Sequence, residues 1–91
     1  MNILTLSIKK IYFDRILNGE KIYEYREKKP YFDRIFGSRK IDFLELHYFK
    51  EEKLIIEVLD VEIIDNNLDS NFLKTDKLYK INLGKIINYQ K

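Results

Sequence analysis

The sequence predicts an α+β fold that is mainly β. Ile, Phe and Tyr, which favour strands, account for 14, six and seven of the 91 residues, and the chain contains no Ala. Long aliphatic stretches are interrupted by only two short segments of helical periodicity. Small size and long strands favour a closed or nearly closed barrel of about five or six strands, because closure removes exposed sheet edges. A two-layer α+β sandwich is the alternative.

Composition limits the classes of protein and of site. The length fits a single domain over residues 1–91. Without Cys and with one His, the chain excludes disulfides, thiolate metal sites and multi-His metal sites. No apolar run approaches the roughly 20 residues that span a membrane, and no signal-peptide pattern opens the chain. We expect a soluble cytoplasmic domain without metal or cofactor.

The first elements follow from a change in periodicity. Residues 2–8 predict a strand, and their four aliphatic side chains place that strand centrally in the sheet. A helix is predicted over 9–18, with Ser7 as a candidate N-cap and Asn18-Gly19 as the C-terminal stop.

The rest of the chain reads mostly as strands. The strand over 53–64 is long enough to require a bend or a bulge. A polar loop near residue 70 is expected to hold a short helix whose apolar residues dock as a lid. In chain order the predicted elements are a strand over 20–28, a short helix from Pro30 to Phe36, strands over 40–49 and 53–64, the loop over 65–77, and one or two strands over 78–89 around Gly84.

The most informative charged segment follows the first helix. Glu24 and Arg26 share one face of the second strand and can pair, which would hold the guanidinium in place for an anion or a base edge. Lys21 has the opposite parity and joins them only if a bulge or the preceding turn rotates it. The alternative is an ordinary solvated strand face, where such pairs contribute only about 0–1 kcal/mol.

Charge and aromatic residues are compatible with a nucleic-acid ligand. Residues 1–40 hold ten Lys and Arg against five Asp and Glu, whereas residues 41–91 hold seven against ten. A basic half suggests an anionic partner, with ordinary scatter as the alternative. His47 is predicted to be a hydrogen-bonded or rim residue rather than a general base. Five tyrosines could stack on bases or fill the core, namely Tyr12, Tyr23, Tyr25, Tyr31 and Tyr48.

Three segments resemble the ASCH domain family. Its hallmark is a Leu-Ser-Ile-Lys-like strand, a helix, and a Gly-x-Lys-x-x-Glu-x-Arg segment. Residues 6–9 read Leu-Ser-Ile-Lys, and residues 16–26 carry the second motif in register. Residues 79–86 are similar to the family's closing strand with its Leu-Gly step. The motif positions are Gly19, Lys21, Glu24 and Arg26.

This resemblance implies a PUA-like β-barrel in which a helix flanks a charged cleft. Family members are generally viewed as binding RNA or acting on RNA-related ligands, and many small stand-alone members occur in bacteria and phages. The resemblance therefore implies an RNA, nucleotide or nucleoside ligand, with no metal. The residues that it places in the cleft are Ser7, Lys9, Lys21, Glu24 and Arg26.

Two other functions stay open. Some similar small proteins are amidohydrolases for N4-acetylcytidine, and the resemblance would then make Lys21 and Glu24 catalytic. Those enzymes have a Thr where this chain has Glu24, and they use a second carboxylate, for which Glu57 and Glu62 are candidates. A third possibility is a bacterial or phage protein-interaction domain without activity, with the loop over 65–77 as its contact surface.

Overall fold

Five strands and two helices make up the computed structural model, which describes residues 1–68 and 71–91. The strands form one curled, half-barrel sheet in the order β1-β3-β4-β5-β2. The prediction of a mainly β, α+β fold is therefore confirmed. The elements are β1 (Ile3–Ser7), α1 (Lys10–Leu17), β2 (Tyr23–Glu27), α2 (Pro30–Ser38), β3 (Phe43–Tyr48), β4 (Glu52–Asp65) and β5 (Lys77–Gln90).

The first strand lies at an edge of the sheet, so the prediction that it is central is wrong. β1 pairs only with β3, in parallel register from Ile3 opposite Phe43 to Ser7 opposite His47. Leu4 and Leu6 are buried, whereas their neighbours in β1 are exposed. The central strand β3 also buries only one face, so burial of one face does not distinguish an edge strand from a central one. The aliphatic residue Ile3 lies on the exposed face of β1.

The sheet is not closed by strand pairing. Within the described parts of the chain, β1 and β2 are its two edges and do not pair with each other. A side chain bridges the gap instead, because Nη2 of Arg26 on β2 donates a hydrogen bond of 3.0 Å to the carbonyl oxygen of Ser7 on β1. The open seam between these two edges is where the sheet leaves room for a site.

Both helices pack on the core through amphipathic faces. α1 buries Phe13 and Ile16, and α2 packs its aromatic and aliphatic side chains against the same core. Pro30 begins α2, as predicted, because its missing N–H is not needed in the first turn. The N-cap of α1 is Lys9, without a side-chain hydrogen bond. The proposed Ser7 cap is wrong, since Ser7 belongs to β1.

The two long strands carry the predicted irregularity. The ladder between β4 and β5 shifts register three times, between Ile55 and Ile56, between Ile56 and Val58, and between Val58 and Asp60. β5 runs as one strand through Gly84, where a Cβ atom would lie 2.2 Å from Oε1 of Glu57. Residues 66–68 and 71–76 contain no helix, and the remainder of the predicted short helix, 69–70, lies outside the described residues.

The hydrophobic core lies on the inner face of the sheet, beneath the helices. Glu24 is the one charged residue buried among the described residues. None of the helices in these parts of the chain has the length and apolarity needed to cross a membrane. The largest fully buried side chains are Phe13, Ile16, Leu44, Leu46, Leu54, Leu78 and Ile81.

Candidate functional site

A cleft of about 880 Å³ opens at the seam between the two edge strands. Its walls come from the end of β1, the start of α1, β2, the start of α2, and the described ends of the loop between β4 and β5. Charged and aromatic side chains dominate the lining: Lys9, Arg15, Glu20, Lys21, Glu24, Arg26, Glu27 and Lys29, with Tyr12, Tyr23, Tyr25, Phe32 and Phe72.

Glu24 is the centre of the cleft's charge arrangement. Its Oε1 atom accepts a hydrogen bond of 2.9 Å from Nζ of Lys21, and its Oε2 atom lies 2.8 Å from Nη2 of Arg26. The Glu24 side chain is only 8% exposed, which makes this pairing necessary because an isolated buried carboxylate is very costly. The cluster carries two cations and one anion, so its formal charge is +1.

The turn after α1 brings Lys21 to Glu24. Gly19 has a φ of +77° and ends the helix in a Schellman motif, in which Glu20 N–H donates to Arg15 O at 2.8 Å. Lys21 N–H donates to the same carbonyl at 3.1 Å. This places Lys21 before β2 rather than within it, so the alternation of strand side chains does not apply. Lys21 was expected to join Glu24 and Arg26 only if a bulge or the preceding turn rotated it, and the turn does so.

Arg26 is held rigidly and still presents donors to the cleft. It lies two residues after Glu24 on β2, on the inner face, as the strand alternation predicted. Nε and Nη2 both contact Glu24 Oε2, at 3.2 and 2.8 Å, and Nη2 also donates to Ser7. These contacts use three of the five N–H groups of the guanidinium. The two N–H groups of Nη1 remain for a ligand or water, counting partners among the described residues.

Tyrosine rings surround the ammonium of Lys21. Its Nζ atom lies 4.6 Å from the ring centre of Tyr12 and 5.8 Å from that of Tyr23. The rings of Tyr23 and Tyr25 are 4.8 Å apart, and burial, with the adjacent Tyr23, raises the pKa of Tyr25. Such rings offer π faces beside positive charge, an arrangement suited to planar anionic ligands.

Another part of the lining pairs a lysine with a phenylalanine from the loop between β4 and β5. Nζ of Lys9 lies 3.3 Å from the ring centre of Phe72, which is a close cation–π contact. Leu68 and Leu73 also line the cleft. The described ends of the predicted lid therefore do reach the cleft, although without a helix.

All five residues that the family resemblance places in the cleft line it. Lys9, Lys21, Glu24 and Arg26 contribute side chains to the contacts described above. Ser7 contributes its backbone carbonyl, which anchors Arg26 across the seam.

The candidates for a second carboxylate do not line the cleft. Glu57 lies beside Gly84 and accepts from the N–H of Lys85, and Glu62 accepts from the amide of Asn82 at 2.6 Å. Both belong to β4, which the other strands separate from the seam. Assigning either residue to the cleft is therefore wrong. The carboxylates that join Glu24 in the lining are Glu20 and Glu27.

Two of the five candidate tyrosines also lie elsewhere. Tyr31 is exposed on α2 and packs against Phe32, and Tyr48 packs against Phe49. His47 is half-buried and lies 2.9 Å from Glu45, which agrees with the prediction of a histidine that has a hydrogen-bond partner.

Phe32 and Lys29 line the cleft without having been predicted from the sequence pattern. Phe72, by contrast, is one of the apolar residues of the loop over 65–77 that were expected to dock as a lid. Phe32 and Lys29 flank Pro30, which starts a helix at the mouth of the cleft. Their placement depends on how α2 packs, which the local pattern does not determine.

Within residues 1–68 and 71–91, no group of three or more acidic, His or Cys side chains is arranged to hold a metal ion. Comparisons with family models, curated proteins and solved structures give no match to this chain. The site must therefore be interpreted from its own chemistry, which consists of fixed cationic donors, a buried carboxylate and aromatic faces.

Proposed function

We propose that the cleft binds a nucleotide or a short single-stranded RNA segment, and that the chain is a small ASCH-type domain with a PUA-like fold. The observation that carries the proposal is the buried Glu24 carboxylate, which fixes Lys21 and Arg26 within a cavity lined by aromatic rings. Since RNA is an intracellular ligand, the proposal places the protein in the cytoplasm.

Each part of the cleft matches a part of a nucleotide. The remaining donors of Arg26 suit phosphate oxygens or the acceptor edge of a base. Tyr12 and Tyr23 provide stacking faces beside a positive charge. A cavity of about 880 Å³ lies within the usual range of roughly 300–1,000 Å³ for small-molecule sites.

The geometry favours binding over covalent catalysis. A nucleophilic lysine needs a neutral amine, usually provided by an apolar pocket or a nearby cation. Here Nζ of Lys21 donates to the carboxylate of Glu24 at 2.9 Å, a contact that suits a cationic binding group. The two candidates for the second carboxylate of the amidohydrolase hypothesis, Glu57 and Glu62, also do not line the cleft.

A calorimetric titration with cytidine and uridine monophosphates at low salt tests this function. Arg26→Ala is expected to weaken binding by about 1–3 kcal/mol, because it removes the oriented donors. Lys53→Ala is the matched control, since it removes one positive charge from a side chain outside the cleft that pairs with Glu45 at 3.7 Å. Equal weakening by both variants, or no binding by the unaltered protein, would contradict the proposal.

A further inference from the structure

The C-terminal half of β5 has an unpaired edge on the side of β2. The short strand β2 pairs with β5 only over residues 78–82, and one further hydrogen bond of 2.9 Å runs from the N–H of Leu83 to the carbonyl of Ile22. Beyond Leu83, no described residue pairs with β5 on this side, whereas β4 pairs with its other side as far as Gln90. We refer to this side of residues 84–90 as the β5 free edge.

The position beside the β5 free edge is open, and the edge itself is apolar. A cavity of about 400 Å³ lies where β2 would continue, between Ile22, which precedes β2, and Ile86 of β5. Residues 85–90 are all exposed. Their large apolar side chains have exposed fractions of 39% for Ile86, 57% for Ile87 and 37% for Tyr89. An exposed apolar edge of this kind is a template for pairing with another strand.

A second unpaired edge in the same sheet is protected by charge. β3 pairs with β4 only over residues 52–57, so the later part of β4 has no described strand on that side. That part carries three exposed carboxylates, at Asp60, Glu62 and Asp65. Charged side chains are a common protection of sheet edges against association. The β5 free edge has a single charged residue, Lys85, so it lacks this protection.

The arrangement of side chains on the β5 free edge is self-complementary. An antiparallel pair of two such edges, centred near Ile87, brings the apolar residues of both copies together in the middle. The two copies of Lys85 then lie about 14 Å apart along the strands, at roughly 3.4 Å per residue. This exceeds the screening length of about 8 Å at physiological salt. Parallel pairing would instead place both lysines side by side, about 4.8 Å apart.

We infer that two copies of this chain pair through their β5 free edges, antiparallel and around a two-fold axis near Ile87, which joins their five-stranded sheets into one. A second copy fits better than a charged peptide, because the edge offers no row of charges to select one. The inference does not rest on the proposed function, since the nucleotide cleft lies at the seam between β1 and β2.

Analytical ultracentrifugation over a series of protein concentrations tests the pairing. The unaltered protein should form a species of twice the monomer mass of 11.1 kDa. Ile87→Lys and Ile87→Glu each place like charges opposite one another at the two-fold axis, so each variant alone should be monomeric. An equal mixture of the two variants should regain the dimer, because opposite charges then meet. Ile87 is exposed and lies at a register shift with β4, so both variants should fold, which circular dichroism checks.

The matched control is Ile63→Lys, which adds the same charge at an isoleucine of similar exposure, 56%, on β4. This variant should keep the dimer, and Arg26→Ala should keep it as well while losing nucleotide affinity. A protein that is monomeric at every concentration would overturn the inference and leave the proposed function intact. Equal dissociation in Ile63→Lys, or no recovery of the dimer in the mixture, would also overturn it. Species larger than a dimer would show head-to-tail association and contradict the two-fold arrangement.

Discussion

Among the described residues, two clusters each pair one glutamate with two basic side chains. Glu24 on β2 pairs with Lys21 and Arg26, and Glu45 on β3 pairs with His47 and Lys53. The side chain of Glu24 is 8% exposed and lines a cavity, whereas that of Glu45 is 23% exposed and lies outside it.

The difference comes from the strands beneath each cluster. Glu45 lies where β3 is paired on both sides, opposite Thr5 of β1 and Ile55 of β4. A fully paired sheet leaves only a row of side chains in solvent. Glu24 lies on an edge strand whose open side faces another unpaired edge. The seam between the two edges leaves space for a cleft and backbone carbonyls that accept hydrogen bonds. A carboxylate buried there must be paired with cations. Similar residue types therefore build a cleft in one region and a solvated face in the other.

The largest expected effect is a difference in stability between variants of the two glutamates. Glu24→Gln leaves two cations unpaired in a mostly buried site, so the free energy of unfolding should fall by about 2–3 kcal/mol. This loss is smaller than that for a fully buried pair, because both cations keep some exposure. Glu45→Gln should cost less than about 1 kcal/mol, as for surface pairs. Urea unfolding at pH 7 measures both. Similar losses in the two variants would remove the distinction between the regions.

The turn that positions Lys21 gives the next largest effect. Gly19 has a φ of +77°, so Gly19→Ala should lower the free energy of unfolding by about 1–2 kcal/mol. Gly37 lies in α2 with open space around it, and Gly37→Ala should be neutral or stabilise the protein by up to about 1 kcal/mol. Thermal unfolding of the two variants distinguishes them. If Gly19→Ala were as stable as Gly37→Ala, the cleft would not depend on this turn.

A third prediction concerns alkaline pH on the inner face. Tyr79 lies opposite Arg26 in the ladder between β2 and β5. Burial, with a hydrogen bond to Asp33, raises the pKa of Tyr79 to about 12. The unfolded phenol titrates near pH 10, so this contribution to stability is complete below about pH 10 and is lost as the pH rises toward 12. Urea unfolding across this range should show the loss in the unaltered protein and a flatter profile in Tyr79→Phe.

The smallest effect is expected in the acid stability that the cluster around Glu45 contributes. The hydrogen bond with His47 lowers the pKa of Glu45, despite the opposing effect of burial. A lowered carboxyl pKa adds stability above the unfolded value near 4.3, and that stability is lost as the pH falls through the folded value. The change should stay below about 1 kcal/mol and should disappear in Glu45→Gln. An unchanged acid profile in that variant would show that Glu45 does not contribute.

The sequence predicts the local features of the site better than the contacts between residues that are distant along the chain. Strand alternation gives the pairing of Glu24 with Arg26, and Asn18-Gly19 gives the end of α1. The position of Lys21 stays conditional, because it depends on backbone geometry in the turn. These features need only a few consecutive residues, and their periodicity or conformation is set locally.

Features that depend on strand order are not predicted. The aliphatic residues of β1 suggest a central strand, but the edge position follows from its pairing with β3 and from the open seam. The contact between Phe72 and Lys9 joins residues that are far apart in sequence. The sequence pattern does not determine the order of the strands in the sheet. Glu57 and Glu62 therefore remain plausible cleft residues until the sheet order excludes them.

The seam cleft, and not the outer face of the sheet, is the proposed nucleotide-binding site. The most direct measurement is a backbone amide NMR titration at low salt with cytidine monophosphate, N4-acetylcytidine and a short mixed RNA. Binding in the cleft should shift the amide signals of residues 7–9 and 21–26 most strongly, without release of acetate. Shifts concentrated around Glu45, His47 and Lys53, or no shifts with any of the three ligands, would contradict it.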